Sequence, residues 1–423
     1  MLPHELTAAE AVPLLARGNL TAEALVRACL ERIAAEEPRV QAWEHLDAGL
    51  ALSRARQADA AGRPGPLHGL PVGVKDVIDT ADMPTARGSP LFAGRRPAAD
   101  AACVAALRRA GAVVLGKTVT TELAYYAPGK TRNPHDPART PGGSSSGSAA
   151  AVAACMVPAA LGTQTAGSTI RPASFCGVVG LKPSHGLVSL EGVSPFAPVT
   201  LDTIGLFTRS ARDLPLLLAA LGAPILGAQV PARPRIGVAR TEAWPLAGQA
   251  SREAVARAAR ALAAAGAEVE DAPDDWTGLS EAQRTVMAFE AAAAWGETAA
   301  REGARLSPQF REIVAAGAAV APAAYREARA LAAAARARLP AVFARFDVLL
   351  GASALGEAPP GLGATGDPAM NRIWTLLGLP CLSLPAGRGP AGMPVGVQLV
   401  GPPGGDELLV AAGRWAEAAL AGC

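Results

Sequence analysis

Short apolar runs alternate with amphipathic segments along the chain, and each kind of run predicts a structural element. Runs rich in valine, leucine and isoleucine predict buried strands, at 70–74, 112–115, 236–239, 348–350, 381–384 and 396–400. Thr21 is positioned to cap a helix over 22–36 that has its apolar residues on one face. Further helices are predicted at 101–110, at 148–156 and throughout the alanine- and arginine-rich stretch that follows 243. Strands interleaved with helices indicate an α/β sandwich around one large, mixed sheet.

Composition narrows the class of protein. The chain has 423 residues, half of them hydrophobic, so it can bury a large core, and its length alone allows two or three domains. Lysine plus arginine (39) nearly balances aspartate plus glutamate (37), which predicts no nucleic-acid binding. The cysteines have no metal-binding spacing, so no metal site is predicted, and we expect them to be reduced; they are Cys29, Cys103, Cys155, Cys176, Cys381 and Cys423.

No membrane-spanning segment is predicted. The longest apolar runs, 149–162 and 214–230, are short for a span or broken by proline and glycine. The first fifteen residues have neither a basic start nor a cleavage site of the secretory kind. A cytoplasmic location is therefore the default expectation.

Two segments rich in serine and glycine, GGSSSGS at 142–148 and GTQTAGSTIR at 162–171, carry the candidate chemistry. A nucleophilic serine needs a base and donors for the oxyanion, and none of the five histidines has an obvious relation to a serine and a carboxylate. A neutral lysine can serve instead. Lys75 ends the predicted strand 70–74, where loss of water would lower its pKa. The alternative is that Lys75 only pairs with Asp76 or Asp79.

These motifs carry a resemblance. The runs GGSSSGSAAAVAA and ALGTQTAGSTIRPASFCGVVGLKPSHG, with VGVKDVIDTADMPTARGSP before them, resemble the amidase signature family of Ser-Ser-Lys amide hydrolases. The stretches FAPVTLDTIGLFTRSARDL, NRIWTLLGLPCLSLPAG and MPVGVQLVGPPGGDELL are also similar to the family. The resemblance is strongest over 70–214 and weakest over 243–345.

The resemblance implies roles for three residues. The family's nucleophile falls on Ser168, its bridging serine on Ser144 and its base on Lys75, for cleavage of a small carboxamide through an acyl-enzyme without a cofactor. The bridging serine would follow a cis peptide bond after Gly143. An oxyanion turn would use the backbone N–H groups of Thr165, Ala166, Gly167 and Ser168.

The resemblance also implies an organisation for the whole chain. It argues for a single α/β/α domain over 1–423, with a catalytic core at 65–215. A helical region at 235–345 would flank the substrate, and 346–423 would return to the sheet. The expected partner is a small amide, and a homodimer is one assembly to expect.

Three positions depart from the family pattern or bear on substrate choice. Many members have aspartate where this chain has Gln164 and glycine where it has Ala166, and a residue with a Cβ resists positive φ. Arg171 follows Ser168 by three residues, where many members place the arginine after two. Its guanidinium could hold a substrate carboxylate or could pair with Asp202 and brace the loop. Tyr125 and Tyr126 are candidates for the wall of the substrate site.

Other interpretations of the serine motifs stay open. Residues 143–147 fit GxSxG, the nucleophile elbow of α/β-hydrolases with Ser145 as nucleophile, but prolines at 134, 137 and 141 oppose the strand that it needs. The loop at 142–148 could instead bind an anion at a helix N-terminus in a protein without catalytic activity. A third alternative is a component of an amidotransferase that releases ammonia from glutamine only with its partner proteins.

Overall fold

The computed structural model describes residues 2–62, 65–223, 227–273 and 275–421, which leaves Cys423 and part of the run 214–230 outside the described residues. Its strands are β1 Trp43–Leu46, β2 Pro71–Lys75, β3 Val113–Thr118, β4 Ala159–Gln164, β5 Val179–Lys182, β6 Thr203–Thr208, β7 Arg235–Val238, β8 Glu268–Asp271, β9 Val348–Ala352, β10 Cys381–Arg388 and β11 Pro394–Val400.

Helices flank these strands along the whole chain. They are α1 Ala8–Arg17, α2 Ala22–Val40, α3 Ala48–Ala61, α4 Ala102–Arg109, α5 Ser146–Ala153, α6 Ile170–Cys176, α7 Leu214–Ala220, α8 Gln249–Ala264, α9 Leu279–Glu302, α10 Pro308–Ala319, α11 Pro322–Arg345, α12 Arg372–Leu376 and α13 Asp406–Leu420.

One sheet contains all eleven strands of the described residues, in the order β1-β3-β2-β4-β6-β5-β10-β11-β9-β7-β8. Strand β2 pairs in parallel with β3 and β4, whereas β6 pairs antiparallel with β4 and β5. At the other end β7 is parallel to β8 and β9. The predicted α/β fold with one large mixed sheet is confirmed.

The local predictions are confirmed with small shifts of their boundaries. Thr21 caps α2 through a 3.1 Å hydrogen bond from the N–H of Ala24 to its hydroxyl, although the helix continues past the predicted end to Val40. All six predicted strands are present, each extended or shifted by a few residues. The helix predicted at 148–156 begins earlier, at Ser146, and ends at Ala153.

Two apolar clusters explain where the site lies. The larger one packs helices such as α2, α5, α8 and α13 against the sheet. The smaller one joins α9, α10, α11 and α12 to the loop after β4, where Ala166 and Ile170 take part in it. The region 235–345 is divided between the two clusters. Its strands β7 and β8 extend the sheet and its helix α8 packs on the larger cluster, whereas α9–α11 lie on the side of the serine motifs.

Candidate active site

Lys75 is the last residue of β2, and its side chain is 0% exposed. Its Nζ lies within hydrogen-bond distance of two hydroxyls, 2.6 Å from Ser144 Oγ and 2.7 Å from Thr163 Oγ1. Burial lowers the pKa of Lys75 well below its ordinary value, and the negative charge of Asp202 partly opposes this shift. The site therefore favours a neutral amine, which can accept a proton from one of its hydroxyl neighbours.

The alternative in which Lys75 only pairs with Asp76 or Asp79 is wrong. Asp76 instead forms a buried ion pair with Lys117, with 3.0 Å between the charged atoms. Asp79 binds both terminal nitrogens of Arg95, at 2.7 and 2.8 Å. Within the described residues Lys75 has no ion pair, so burial is not compensated by a carboxylate in contact.

Ser144 follows the cis peptide bond that the resemblance implied, between Gly143 and Ser144. Gly143 is needed here because the loop runs close to residue 365. A Cβ on Gly143 would lie 2.7 Å from Thr365 Cγ2, closer than real Cβ contacts. The loop is held further by the carbonyl oxygen of Ser144, which accepts a 3.2 Å hydrogen bond from the N–H of Thr121. Ser144 Oγ is thereby presented to Lys75 at the edge of the cavity.

Ser145 does not fit the nucleophile-elbow interpretation. It is 0% exposed, and its Oγ both donates to the carbonyl oxygen and accepts from the N–H of Thr163, at 3.1 and 3.2 Å. No strand leads into it among the described residues 131–143. The hydroxyl of Ser145 therefore ties the loop to β4.

Ser168 lies in the turn between β4 and α6, is 9% exposed and lines the same cavity as Ser144. No hydrogen bond joins Ser168 Oγ to Ser144 Oγ among the described residues. The structure thus links Lys75 to Ser144 directly and brings Ser168 to the cavity that Ser144 borders. Contacts of this kind are often long in an enzyme without substrate and tighten in the reacting complex.

The turn at 165–168 offers unpaired backbone donors beside Ser168. Within the described residues, the N–H groups of Ala166, Gly167 and Ser168 donate no hydrogen bond. Ala166 is not among the residues with positive φ, so its Cβ does not hinder the turn. Gly167 approaches α12 closely, since a Cβ there would lie 2.4 Å from Asn371 Oδ1. The side chain of Thr165 helps to hold the turn in place, because its hydroxyl donates a hydrogen bond to Asp202 at 2.5 Å.

Arg171 lies in α6, is 2% exposed and lines the cavity. The alternative in which Arg171 pairs with Asp202 is wrong, because Asp202 accepts from Thr165 and from two backbone N–H groups instead. Arg171 Nη2 donates to the carbonyl oxygen of Gly143 at 2.6 Å and to Thr365 Oγ1 at 3.2 Å. Its Nε and Nη1 are buried and have no partner in the described part of the chain. Arg171 therefore stabilises the Ser144 loop through Nη2, while its donors Nε and Nη1 remain unpaired in the described residues.

Tyr125 and Tyr126 form part of the cavity wall. Their rings meet edge to face with 4.7 Å between centroids, and Tyr125 also stacks on Phe196 at 5.2 Å. Burial raises the pKa of Tyr125, so its hydroxyl stays protonated at neutral pH. The wall is completed by residues that the sequence did not single out, among them Thr121, Met287, Thr365 and Pro368.

The described residues contain no cluster of metal ligands. Among them, no group of three or more histidine, cysteine, aspartate or glutamate side chains is arranged to hold a metal ion. None of the described helices combines the length and apolar character that crossing a membrane requires.

The burial of Lys75 predicts how stability depends on pH. In the unfolded chain a lysine is protonated below its ordinary pKa of 10.5. In the folded protein the pKa of Lys75 is lower, so its amine becomes protonated only at a lower pH. The unfolded state therefore binds more protons between these two values, and stability rises with pH across that window. We expect wild type to gain stability relative to Lys75→Met as the pH rises from 7 to 10. Urea unfolding at several pH values measures this, and a constant difference would contradict the shift.

Comparison with known proteins identifies relatives of this chain. A family model described as Amidase matches residues 24–410. A glutamyl-tRNA(Gln) amidotransferase subunit of Roseiflexus castenholzii is 47% identical over 227 residues, which cover 52% of this chain and 46% of that protein. The chain therefore aligns with about half the length of the first such relatives. The protein of the same name in Nitratidesulfovibrio vulgaris is 35% identical over 99% of this chain and 97% of its own length.

Two of the solved structures with a similar fold are named as amidases. A structure described as an amidase superposes with a TM-score of 0.90 and 36% identity, and covers 98% of this chain and 100% of its own. The peptide amidase of Stenotrophomonas maltophilia superposes with a TM-score of 0.83 and 31% identity, covering 98% and 97%. Because the family match spans most of its length, this chain belongs to the amidase family.

Proposed function

We propose that the protein hydrolyses a small carboxamide to a carboxylic acid and ammonia or an amine, with Ser168 as nucleophile, Ser144 as proton relay and Lys75 as base. The observation that carries this proposal is the 2.6 Å contact between Ser144 Oγ and a fully buried lysine that has no ion pair among the described residues. The other two fully buried lysines of the described residues contact neither serine motif, since Lys117 pairs with Asp76 and Lys182 contacts the carbonyl oxygen of Pro183.

The proposed reaction moves one proton out along the relay and back. Neutral Lys75 takes the proton of Ser144, Ser144 takes that of Ser168, and Ser168 Oγ attacks the carbonyl carbon. The oxyanion is stabilised by the backbone N–H groups of Ala166, Gly167 and Ser168. The proton then returns to the amide nitrogen, the C–N bond breaks, and water hydrolyses the acyl-enzyme by the same relay.

Release of ammonia from a panel of small amides by the purified chain tests this proposal, with Ser168→Ala as the control. Turnover that needs Ser168 supports it. Ammonia released equally by the Ser168→Ala protein would contradict it, since the proposed nucleophile would not be used.

A second candidate function is that of a glutamine-dependent amidotransferase component, because relatives named as amidotransferase subunits match as much as 99% of this chain. The chemistry at Ser168 would be the same, but partner proteins would be obligatory. Turnover of free amides by the purified chain favours the independent amidase, whereas activity that appears only with added partner proteins favours this candidate. A homodimer, a cytoplasmic location and the division of the chain at 65–215, 235–345 and 346–423 stay predictions.

We propose further that Arg171 recognises a negatively charged group on the substrate. Its unpartnered Nε and Nη1 are buried, and the hydroxyl of Thr121, also without a partner in the described residues, lines the same cavity. Buried donors of this kind are costly unless a ligand satisfies them. Burial lowers the pKa of Arg171, with Tyr126 and Asp367 opposing the shift, but a guanidinium keeps its charge in proteins.

Substitution of Arg171 tests the recognition of charge. We expect Arg171→Met to lower kcat/KM for an amide with a carboxylate about 10- to 100-fold more than for its neutral analogue, as for a hydrogen bond to a charged group. The ratio of the two losses is decisive because Arg171 also holds the carbonyl of Gly143, which affects both substrates. Thr365→Val, which removes the neutral partner of the same guanidinium, is the matched control and should leave the ratio unchanged. Equal losses for both substrates in Arg171→Met would contradict the proposal.

A further inference from the structure

The carbonyl groups of the first three residues of the turn at 165–168 are each held by a separate donor. The carbonyl oxygen of Thr165 accepts from Gln283 Nε2 in α9 at 3.1 Å. That of Ala166 accepts from Thr375 Oγ1 in α12 at 2.8 Å. The carbonyl of Gly167 accepts from the N–H of Arg171 at 3.0 Å. Three consecutive peptide units are thereby fixed from outside the turn.

These contacts determine where the N–H groups point. In a planar trans peptide the C=O and the following N–H point in opposite directions. A carbonyl held on the side of α9 or α12 therefore turns the next N–H away from those helices. The groups turned in this way are the N–H groups of Ala166 and Gly167, and the contact between Arg171 and the carbonyl of Gly167 turns the N–H of Ser168 away from α6 in the same manner. None of the three N–H groups has a partner in the described residues.

The hydroxyl of Thr375 is itself oriented by Gln164. The Gln164 Oε1 accepts from the N–H groups of Thr169 and Ile170, at 2.9 and 3.1 Å. Its Nε2 consequently faces Thr375 and donates to Thr375 Oγ1 at 3.0 Å. Because the hydroxyl of Thr375 accepts this hydrogen bond, its single proton is donated to a backbone carbonyl. The nearer acceptor is the carbonyl oxygen of Ala166 at 2.8 Å, and the other is that of Asn371 at 3.1 Å.

We propose that Thr375 is a positioning residue that, oriented by Gln164, aims the N–H of Gly167 at the oxyanion, and that Gln283 does the same for Ala166. The inference rests on the proposed function, because it assigns these residues to the proposed oxyanion hole. It also explains why an amide side chain is needed at position 164. A carboxylate at this position would accept the proton of Thr375 and release the carbonyl of Ala166.

Paired substitutions of Thr375 test the inference. Thr375→Val removes the hydroxyl at nearly constant shape, and we expect kcat to fall about 10- to 100-fold with KM changed by less than about twofold, as for misplacement of a group used in the transition state. Thr375→Ser keeps the hydroxyl and should recover most of the lost rate. Equal losses in the valine and serine variants, or a rise in KM with kcat unchanged, would overturn the inference.

A second variant covers the case in which Thr375→Val does not fold. Gln164→Glu keeps the acceptors for Thr169 and Ile170 but removes the donor to Thr375, and we expect kcat to fall by about 10-fold or more. Where Thr375→Val does fold, the double variant Gln164→Glu/Thr375→Val should lose no more than the worse single variant, because both substitutions act on the carbonyl of Ala166. Full additivity of the two losses, or an unchanged kcat in Gln164→Glu, would overturn the inference.

A readout without substrate separates this inference from the proposed function. The rate at which an alkyl fluorophosphonate modifies Ser168 also depends on donors for the developing charge. We expect this rate to fall in Thr375→Val and to recover in Thr375→Ser. A wild type that is not modified would defeat the proposed function, whereas modification of Thr375→Val at the wild-type rate would defeat the inference alone.

Discussion

Replacing Ser168 with alanine is expected to lower kcat for amide hydrolysis by about 10⁴-fold or more, since loss of a nucleophile removes the covalent pathway and leaves only binding and oxyanion stabilisation. Ser168 borders the cavity together with Ser144 and lies in the turn that carries the unpaired N–H groups, so its hydroxyl is near the groups that the proposed attack requires. Steady-state kinetics on an amide that wild type hydrolyses measure this loss.

Ser145→Ala is the matched control within the serine motifs. Its hydroxyl contacts only the backbone of Thr163, so we expect a loss of less than about 10-fold, from weaker support of the loop. Ser144→Ala should fall between the two, since a water molecule can bridge from Ser168 to Lys75 in place of the missing hydroxyl. Retention of wild-type turnover in Ser168→Ala, or a larger loss in Ser145→Ala, would contradict the assignment.

Replacing Lys75 with methionine should lower kcat by about 10²- to 10⁴-fold, the usual contribution of a general base. The pH dependence tests the role of Lys75 more specifically. Because only the neutral amine accepts a proton, kcat/KM of wild type should rise with pH as Lys75 loses its proton, at a pKa that burial sets below 10.5. In Lys75→Met this rise should disappear, and pH–rate profiles of the two proteins measure the difference.

Lys182→Met is the control for replacement of a buried lysine. Lys182 is also 0% exposed, lies in β5 and contacts the carbonyl of Pro183. It does not line the cavity, so the shape of the pH profile should be that of wild type. A rise with pH that persists in Lys75→Met, or one that disappears in Lys182→Met, would show that another group is the base.

The sequence predicted the residues whose neighbours in the chain are distinctive. Ser144 and Ser168 lie in unusual glycine-rich motifs, and Lys75 ends an apolar strand, so their presence near one another followed from the family pattern. Thr163 lies inside the second serine-glycine motif and Thr375 inside a stretch similar to the family, but neither was singled out, and Gln283 lies in no motif. Gln283 and Thr375 reach the site through contacts that span 118 and 209 residues, which no pattern along the chain predicts.

The strand predictions divide in the same way, into strands with a distinctive local sequence and strands without one. Six strands rich in valine and leucine were predicted, whereas β1, β4, β5, β6 and β8 were missed. Strand β4 reads AALGTQ and is buried throughout, so it has neither the alternation nor the bulky side chains that indicate a strand. Of the two alternatives for Arg171, pairing with Asp202 is wrong, because the direction of its side chain depends on α6, which brings Arg171 to the carbonyl of Gly143.

The most direct test of the central claim is to modify the purified protein with a fluorophosphonate and to identify the modified residue by mass spectrometry of its peptides. We predict modification of Ser168, and its loss in Ser168→Ala and strong reduction in Lys75→Met. Modification of Ser145 in place of Ser168, or of no serine at all, would contradict the assignment of Ser168 as a nucleophile activated by Ser144 and Lys75.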